Sequence, residues 1–305
     1  NNVAIGSTTL DANTTGSSNV AVGTGALTTS TTAGNNVAVG TSALNSNTTG
    51  DLNLAIGSTA LSSNTVGDRS IAIGHNALRD QDPSSNSDMY NVAIGVNAGL
   101  QTTTGVANTF IGGLVGDANT TGSQNTALGR SALGANTTAS NNTAIGQNSM
   151  ASNTTGTSNT ALGFASLDAN TTAHNNTAIG YDALTTNTTG TANTAVGQGA
   201  LELNSTADNN TAVGKDALTT NGTGTSNVAV GAFALDANDG GSFNTGIGHH
   251  ALGANVNGTQ NTAVGYAAGL GIDGSSGGNV AIGDETMQVS GTKTNNTAVG
   301  SDAMR

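Results

Sequence analysis

Two short apolar bursts recur along this chain. In residues 176–193 they are Ala178-Ile179 and Ala183-Leu184, separated by Gly180 and two variable residues and followed by a run of Asn, Thr and Gly. Each burst is too short for a helix and is flanked by turn-forming residues, so both predict short β-strands. The glycine closing the first burst falls at 6, 23, 40, 57, 74, 95, 112, 129, 146, 163, 180, 197, 214, 231, 248, 265, 283 and 300. The step is 17, interrupted once by 21 (74 to 95) and once by 18 (265 to 283). A fixed short period held over a whole chain marks a stacked repeat. The expected fold is all-β: a parallel β-solenoid (β-roll) of about eighteen 17-residue coils, one array over 1–305 with a loop insertion at 79–90.

The glycine suits a corner where the backbone needs positive φ or a close approach. An Asn opens every copy except the one at Ser70; Asn2, Asn19, Asn36, Asn142, Asn176 and Asn193 are examples. One Asn per coil at one place predicts an amide ladder, satisfying polar groups that a thin core leaves unpaired. Neighbouring side chains of a strand point to opposite faces. One member of each apolar pair therefore fills the coil and the other forms an outward stripe of Ala or Leu. Soluble monomers rarely expose such a stripe. Burial against sister chains in a closed ring is the economical solution, so a homotrimer is expected; a dimer also satisfies the argument.

The residue after the ladder Asn is aliphatic in the first coils (Val3, Val20, Val37, Leu54, Ile71, Val92) and mostly Thr from Thr109 onward, Val228 and Val280 excepted. The first third is expected to be the drier and tighter part. From about Gly122 the Asn-Thr-Thr turn ends alternately in Gly and Ala, a two-coil rhythm that suggests growth by duplication of pairs. Three copies shift a glycine into the second burst, at Ala98-Gly99, Val115-Gly116 and Ala268-Gly269. These read as packing adjustments beside the irregular steps.

Composition narrows the function. The 305 residues include 45 Gly, one Pro, no Cys and no Trp, with 2% aromatic and 8% charged residues. Few large side chains leave no wide globular core, and few charges are unlike ordinary disorder. A net charge of −12 with six scattered Lys and Arg makes no phosphate-binding stripe, so no nucleic-acid partner is expected. Without cysteine there are no disulfides and no thiolate metal sites. No apolar run reaches membrane-spanning length, so no membrane insertion is expected within this segment. The chain opens and closes mid-motif, as a piece of a longer protein would.

Candidate chemistry is sparse. Asp80, Asp82 and Asp88 in the insertion are the weak candidates for a hard cation such as Ca²⁺, although their spacing fits no defined loop. No nucleophile, base and orienter fall together and no paired carboxylates can be placed, so neither an enzyme nor a cofactor is expected. Asn-x-Thr triplets at Asn13, Asn47, Asn153 and Asn187 match the glycan acceptor pattern but follow from composition. The two residues after the glycine vary most, as at a solvent-facing corner. Phe164, Tyr181, Phe233, His249, His250 and Tyr266 are the candidate recognition surface there.

Asn-x-Ala-Ile-Gly-x-x-Ala-Leu resembles the head repeats of YadA-type trimeric autotransporter adhesins, and the longer form ending in Asn-Thr-Thr-Gly resembles fibre repeats of bacterial surface proteins and phage tail fibres. The likeness covers nearly the whole chain. It implies a left-handed β-roll whose core is the residue before each glycine: Ile5, Val22, Val39, Ile56, Ile145, Ile179, Val196 and Val213. Ala and Leu would share core and inter-chain contact, and Ile145→Asp would break fold and assembly together. The 17-residue step exceeds the usual adhesin coil, and neither the coiled-coil stalk nor the membrane anchor of that family is expected within this segment. The implied function is a non-catalytic extracellular fibre or adhesin head, at a cell surface or on a virion. Its partners would be itself, as a trimer, and a host surface, extracellular matrix or glycan. A phage tail-fibre shaft is the first alternative. An ice-binding solenoid, built on stacked Asn-Thr-Thr threonines, is the second.

Overall fold

The computed structural model describes every residue except Ser290 and Thr292. It is an all-β parallel solenoid of about 17 turns, with no helix among the described residues. Residues 1–155 and 156–305 form two compact units.

In the first unit, strands β1 (Val3–Ile5), β2 (Val20–Val22), β3 (Val37–Val39) and β4 (Leu54–Ile56) pair parallel and in register. The sheet continues through β6 (Ile71–Ile73), β8 (Val92–Ile94), β9 (Thr109–Ile111), β10 (Thr126–Leu128) and β11 (Thr143–Ile145). The insertion adds a minor pair, β5 (Gly67–Asp68) with β7 (Ser87–Asp88). In the second unit the sheet runs through β12 (Thr160–Leu162), β13 (Thr177–Ile179), β14 (Thr194–Val196), β15 (Thr211–Val213) and β16 (Val228–Val230). It ends with β17 (Thr245–Ile247), β18 (Thr262–Val264), β19 (Val280–Ile282) and β20 (Thr297–Val299). Every named strand other than β5 and β7 has three residues.

A three-residue strand has only two ways to face, and here the central alanine points in. Ala21, Ala38, Ala144, Ala178 and Ala195 are fully buried. The residues on either side of it therefore point out. This corrects the core expected from the resemblance. Ile5, Ile56 and Val213 are 61%, 38% and 36% exposed, and Val22, Val39, Ile145, Ile179 and Val196 are half-buried on the same outer face. The second burst is not a strand either. Leu44, Leu133 and Leu184 adopt φ of 48°, 51° and 52°, the left-handed region. That turn lets Ala183 and Leu184 both point inward, where alternation had them on opposite faces. A left-handed leucine costs about 1–2 kcal/mol, which burial of its side chain, worth roughly 1.5–3 kcal/mol, offsets.

The corner glycines adopt φ near +135°, and a Cβ on Gly40 or Gly180 would lie 2.6 Å or 2.4 Å from the carbonyl oxygen of the next corner glycine. Conformation and close stacking both exclude a side chain.

Two asparagine ladders line the interior. In the first, Asn176 Oδ1 accepts from the backbone N–H of Asn193 at 2.9 Å, while Asn176 Nδ2 donates to the Gly190 carbonyl at 2.8 Å. The same pattern joins Asn2 to Asn19 and Asn19 to Asn36, and the Asn142 N–H donates to Asn125 Oδ1. The rungs thus bond backbone more than each other. The second ladder is the Asn of Asn-Thr-Thr: Asn187 Nδ2 donates to Gly190 O at 3.0 Å and to Asn170 Oδ1 at 3.3 Å. Asn47, Asn153 and Asn187 are fully buried by this role, and a glycan has no access to them in the folded coil.

Irregular residues compensate one another across coils. Ser70, too short for its rung, donates to Gln81 Oε1, and the longer Gln81 takes the Asn place in the second ladder by reaching Asn64 Oδ1 at 3.2 Å. Phe110 replaces a central alanine inside the coil, and the glycines at 99 and 116 replace the leucines that would meet it: a Cβ there would lie 2.9 Å and 2.7 Å from its ring. Gly269 makes room in the same way for Leu252 and Ile272. The Gly/Ala alternation is also packing. A Cβ on Gly190 would meet the Ala207 carbonyl oxygen at 2.4 Å and Asn187 Oδ1 at 2.5 Å, whereas Ala207 itself is accommodated and buried.

Candidate recognition ridge

The corner that follows each glycine is the part of the coil the stack leaves free. Its first residue projects outward. Its second is held in the left-handed region, as at Asp182 (φ 53°), Phe233 (φ 56°) and His250 (φ 55°), and its N–H donates to the first residue of the preceding coil. Asp182 donates to Phe164 O, Asp216 to Gln198 O and Phe233 to Lys215 O, at 3.2, 2.8 and 2.9 Å. Backbone bonding therefore aligns the side chains of successive coils in a file.

In the second unit that file carries rings. Phe164 and Tyr181 stack with centroids 5.5 Å apart and planes 11° apart. His249 and Tyr266 repeat the arrangement at 5.6 Å and 11°. Beside them Phe233 stacks on His250 at 5.0 Å, and His249 meets His250 edge-on at 4.4 Å. The Lys215 ammonium lies 4.7 Å from the Phe233 centroid and also pairs with Asp216. Burial raises the Asp236 carboxyl above the usual range, and the nearby His250 opposes that rise. All six residues expected from the sequence lie on this corner, and the structure groups them into a two-ring stack and a four-ring cluster. Tyr181 and Tyr266 are 53% and 55% exposed.

The insertion does not gather its carboxylates. Asp80 pairs with Arg79, Asp82 Oδ1 accepts from Thr65 Oγ1, and Asp88 pairs with Arg69 and accepts from Tyr90. The three acids therefore serve different partners, and among the described residues no group of three metal-ligating side chains forms. Sequence reasoning missed the Arg69–Asp88–Tyr90 cluster, whose members come together only because the insertion returns to the coil beside β5.

It also missed a third file of side-chain acceptors. Asp51 accepts from the Gly34 N–H at 2.6 Å and Asp68 from Asp51 at 2.6 Å; Ser123, Ser140, His174 and Asp208 act alike on Val106, Ser123, Thr157 and Thr191. The signal was available, since these polar residues recur at the coil period. Many acids and hydroxyls of this chain are thus occupied in joining coils. No family model and no curated protein matches the chain.

Proposed function

We propose that this chain is a non-catalytic, extracellular fibre or adhesin-head segment that assembles as a homotrimer and attaches to surfaces through its post-glycine ridge. The observation that carries the reading is the sidedness of the strand: its central alanine joins leucine and asparagine inside, and the aliphatic residues that flank it point out, as do the corner rings. In the first unit the outer face holds two adjacent aliphatic files, from Val3 and Ile5 through Val37 and Val39 to Val92 and Ile94. Such a continuous apolar face calls for burial, and a straight face repeated at one spacing is self-complementary to copies of itself. A non-catalytic role is supported by the hydroxyls and carboxylates that bond neighbouring coils. Left-handed winding belongs to the proposal through the resemblance noted above.

Native mass tests assembly. Three copies of 29.4 kDa would give about 88 kDa (3 × 29.4), and a particle of one chain's mass at micromolar concentration contradicts it. A virion fibre shaft shares this physics and is separated from an adhesin by what flanks the segment. The ice-binding alternative would have to use the second threonine of each Asn-Thr-Thr turn, which is exposed at Thr49 and Thr189, because the first is engaged: Thr48 and Thr188 donate to Thr65 O and Ser205 O, both at 3.0 Å. Thermal hysteresis in solution would support it.

A further inference from the structure

The coil has no need of the rings on the second unit's corner. In the first unit the same place carries Ser7, Thr24, Thr41 and Ser58 on the same backbone. Aromatic side chains ordinarily dominate cores, yet of the four Phe and three Tyr in the chain only Phe110 is a core residue, and four of the others stand on this one ridge.

The geometry also limits what binds. No pocket opens among the described residues, so the ligand lies along the ridge and is not enclosed. An added peptide strand would need unpaired backbone groups. Along this file the acceptors are taken: the carbonyls of Phe164, Tyr181, Gln198, Lys215 and His249 each accept from the coil that follows. Recognition must then use side chains that repeat once per coil, about 4.8 Å. Charge argues against a polyanion, since Asp182, Asp216 and Asp236 accompany the file and Lys215 is already paired with Asp216.

We propose that the ridge binds a neutral, extended polysaccharide lying along the solenoid. This rests on the attachment role proposed above and names its ligand. A pyranose ring offers an apolar face of C–H groups to an aromatic ring and a rim of hydroxyls to polar neighbours, and its repeat along an extended chain is close to the coil spacing. Phe164–Tyr181 and His249–Tyr266 are two stacking stations in one file, with Gln198 and Lys215 between them as hydrogen-bonding partners. The stations span six coil steps, from 164 to 266, or roughly 29 Å. A ligand shorter than that reaches one station only, so affinity rises with chain length as the second station engages.

The test is affinity electrophoresis of the whole chain through gels containing hydroxyethyl cellulose, xylan, galactomannan or dextran, with hyaluronan as the acidic comparison. At least one neutral polymer should retard the protein. Phe164→Ala with Tyr181→Ala, and separately His249→Ala with Tyr266→Ala, should each weaken binding at least about fivefold while the circular dichroism spectrum is unchanged. Oligosaccharides of two or three units should compete poorly. The proposal is overturned if no neutral polymer retards the chain, if hyaluronan alone does, or if both double variants bind as the parent does. Attachment to a protein-coated surface that both double variants abolish, without polysaccharide retardation, overturns the ligand class and leaves the ridge as the attachment surface. Polysaccharide binding by a chain that sediments as a monomer supports the ligand and removes the trimeric fibre.

Discussion

The two units share an interior and differ outside. In both, alanine, left-handed leucine and paired asparagines fill the coil. The first unit turns two aliphatic files outward from β1 to β8 and has small polar corners in its first four coils, followed by the mixed corners of His75, Val96, Arg130 and Gln147; in the second, one of those files is mostly threonine and stacked rings stand on the corners. Because coils bond mainly through backbone and asparagine, the outward residues are free to vary without loss of the stack. In the function proposed above, the difference separates two tasks: self-association on the first unit's face and recognition on the second unit's ridge.

The largest expected effect separates inside from outside. Ala38→Asp places a carboxylate in a closed alanine file, where an unpaired buried charge costs several kcal/mol, and it should unfold the first unit as followed by circular dichroism. Val39→Asp, one residue on, should leave the coil folded and reduce the native mass. Ile145→Asp should behave like Val39→Asp, separating the two effects that the resemblance joined. Thr194→Asp on the second unit's outer face should disturb assembly less than Val37→Asp, since threonine contributes less apolar surface there.

Next in size is the packing exchange around Phe110. Phe110→Ala should cost about 3–5 kcal/mol in a chemical denaturation series. Adding Gly99→Leu and Gly116→Leu restores the usual coil and should recover most of the loss, whereas either leucine beside the intact phenylalanine should destabilise. Recovery smaller than about 1 kcal/mol would show that the three positions are not coupled.

A ladder rung comes third. Asn187→Ala leaves buried polar partners unsatisfied and should cost about 1–3 kcal/mol. Asn45→Ala, a partly exposed residue of the first unit hydrogen-bonded to Gly25 O and Thr28 Oγ1, should cost less.

The smallest effect is on pH. Burial raises the carboxyls of Asp117 in the first unit and Asp236 in the second above their ordinary value of 3.8. A raised acid favours the folded state while protonated, so its contribution is present below the unfolded value and lost as pH climbs through the folded one. Thermal stability should therefore drop slightly with rising pH just above the ordinary carboxylate range. Asp117→Asn should remove its share of that drop and raise the neutral-pH melting temperature.

The period, the corner glycine and the first asparagine file were legible because each recurs at one position and has one physical use. Sidedness was not. In Asn-Thr-Ala-Ile-Gly both phases of the strand put something apolar inside, and a one-residue change of phase exchanges the faces. What decides is that Leu184 and its equivalents occupy the interior from left-handed turns, leaving room only for a methyl group opposite. The compensations at Ser70 with Gln81, and at Phe110 with Gly99 and Gly116, joined residues that the sequence displays separately. The ridge residues were named by their variability, but their stacking pairs depend on which coils adjoin.

Because the chain has no cysteine, a single introduced thiol reads sidedness and assembly at once. Ala38→Cys and Val39→Cys would be oxidised under native conditions and run on a denaturing gel without reductant. An inside alanine and an outside valine at an inter-chain face predict covalent dimers from Val39→Cys, and a thiol at position 38 that stays unreactive until the protein is unfolded. Cross-linking at 38 with protection at 39 would contradict the account.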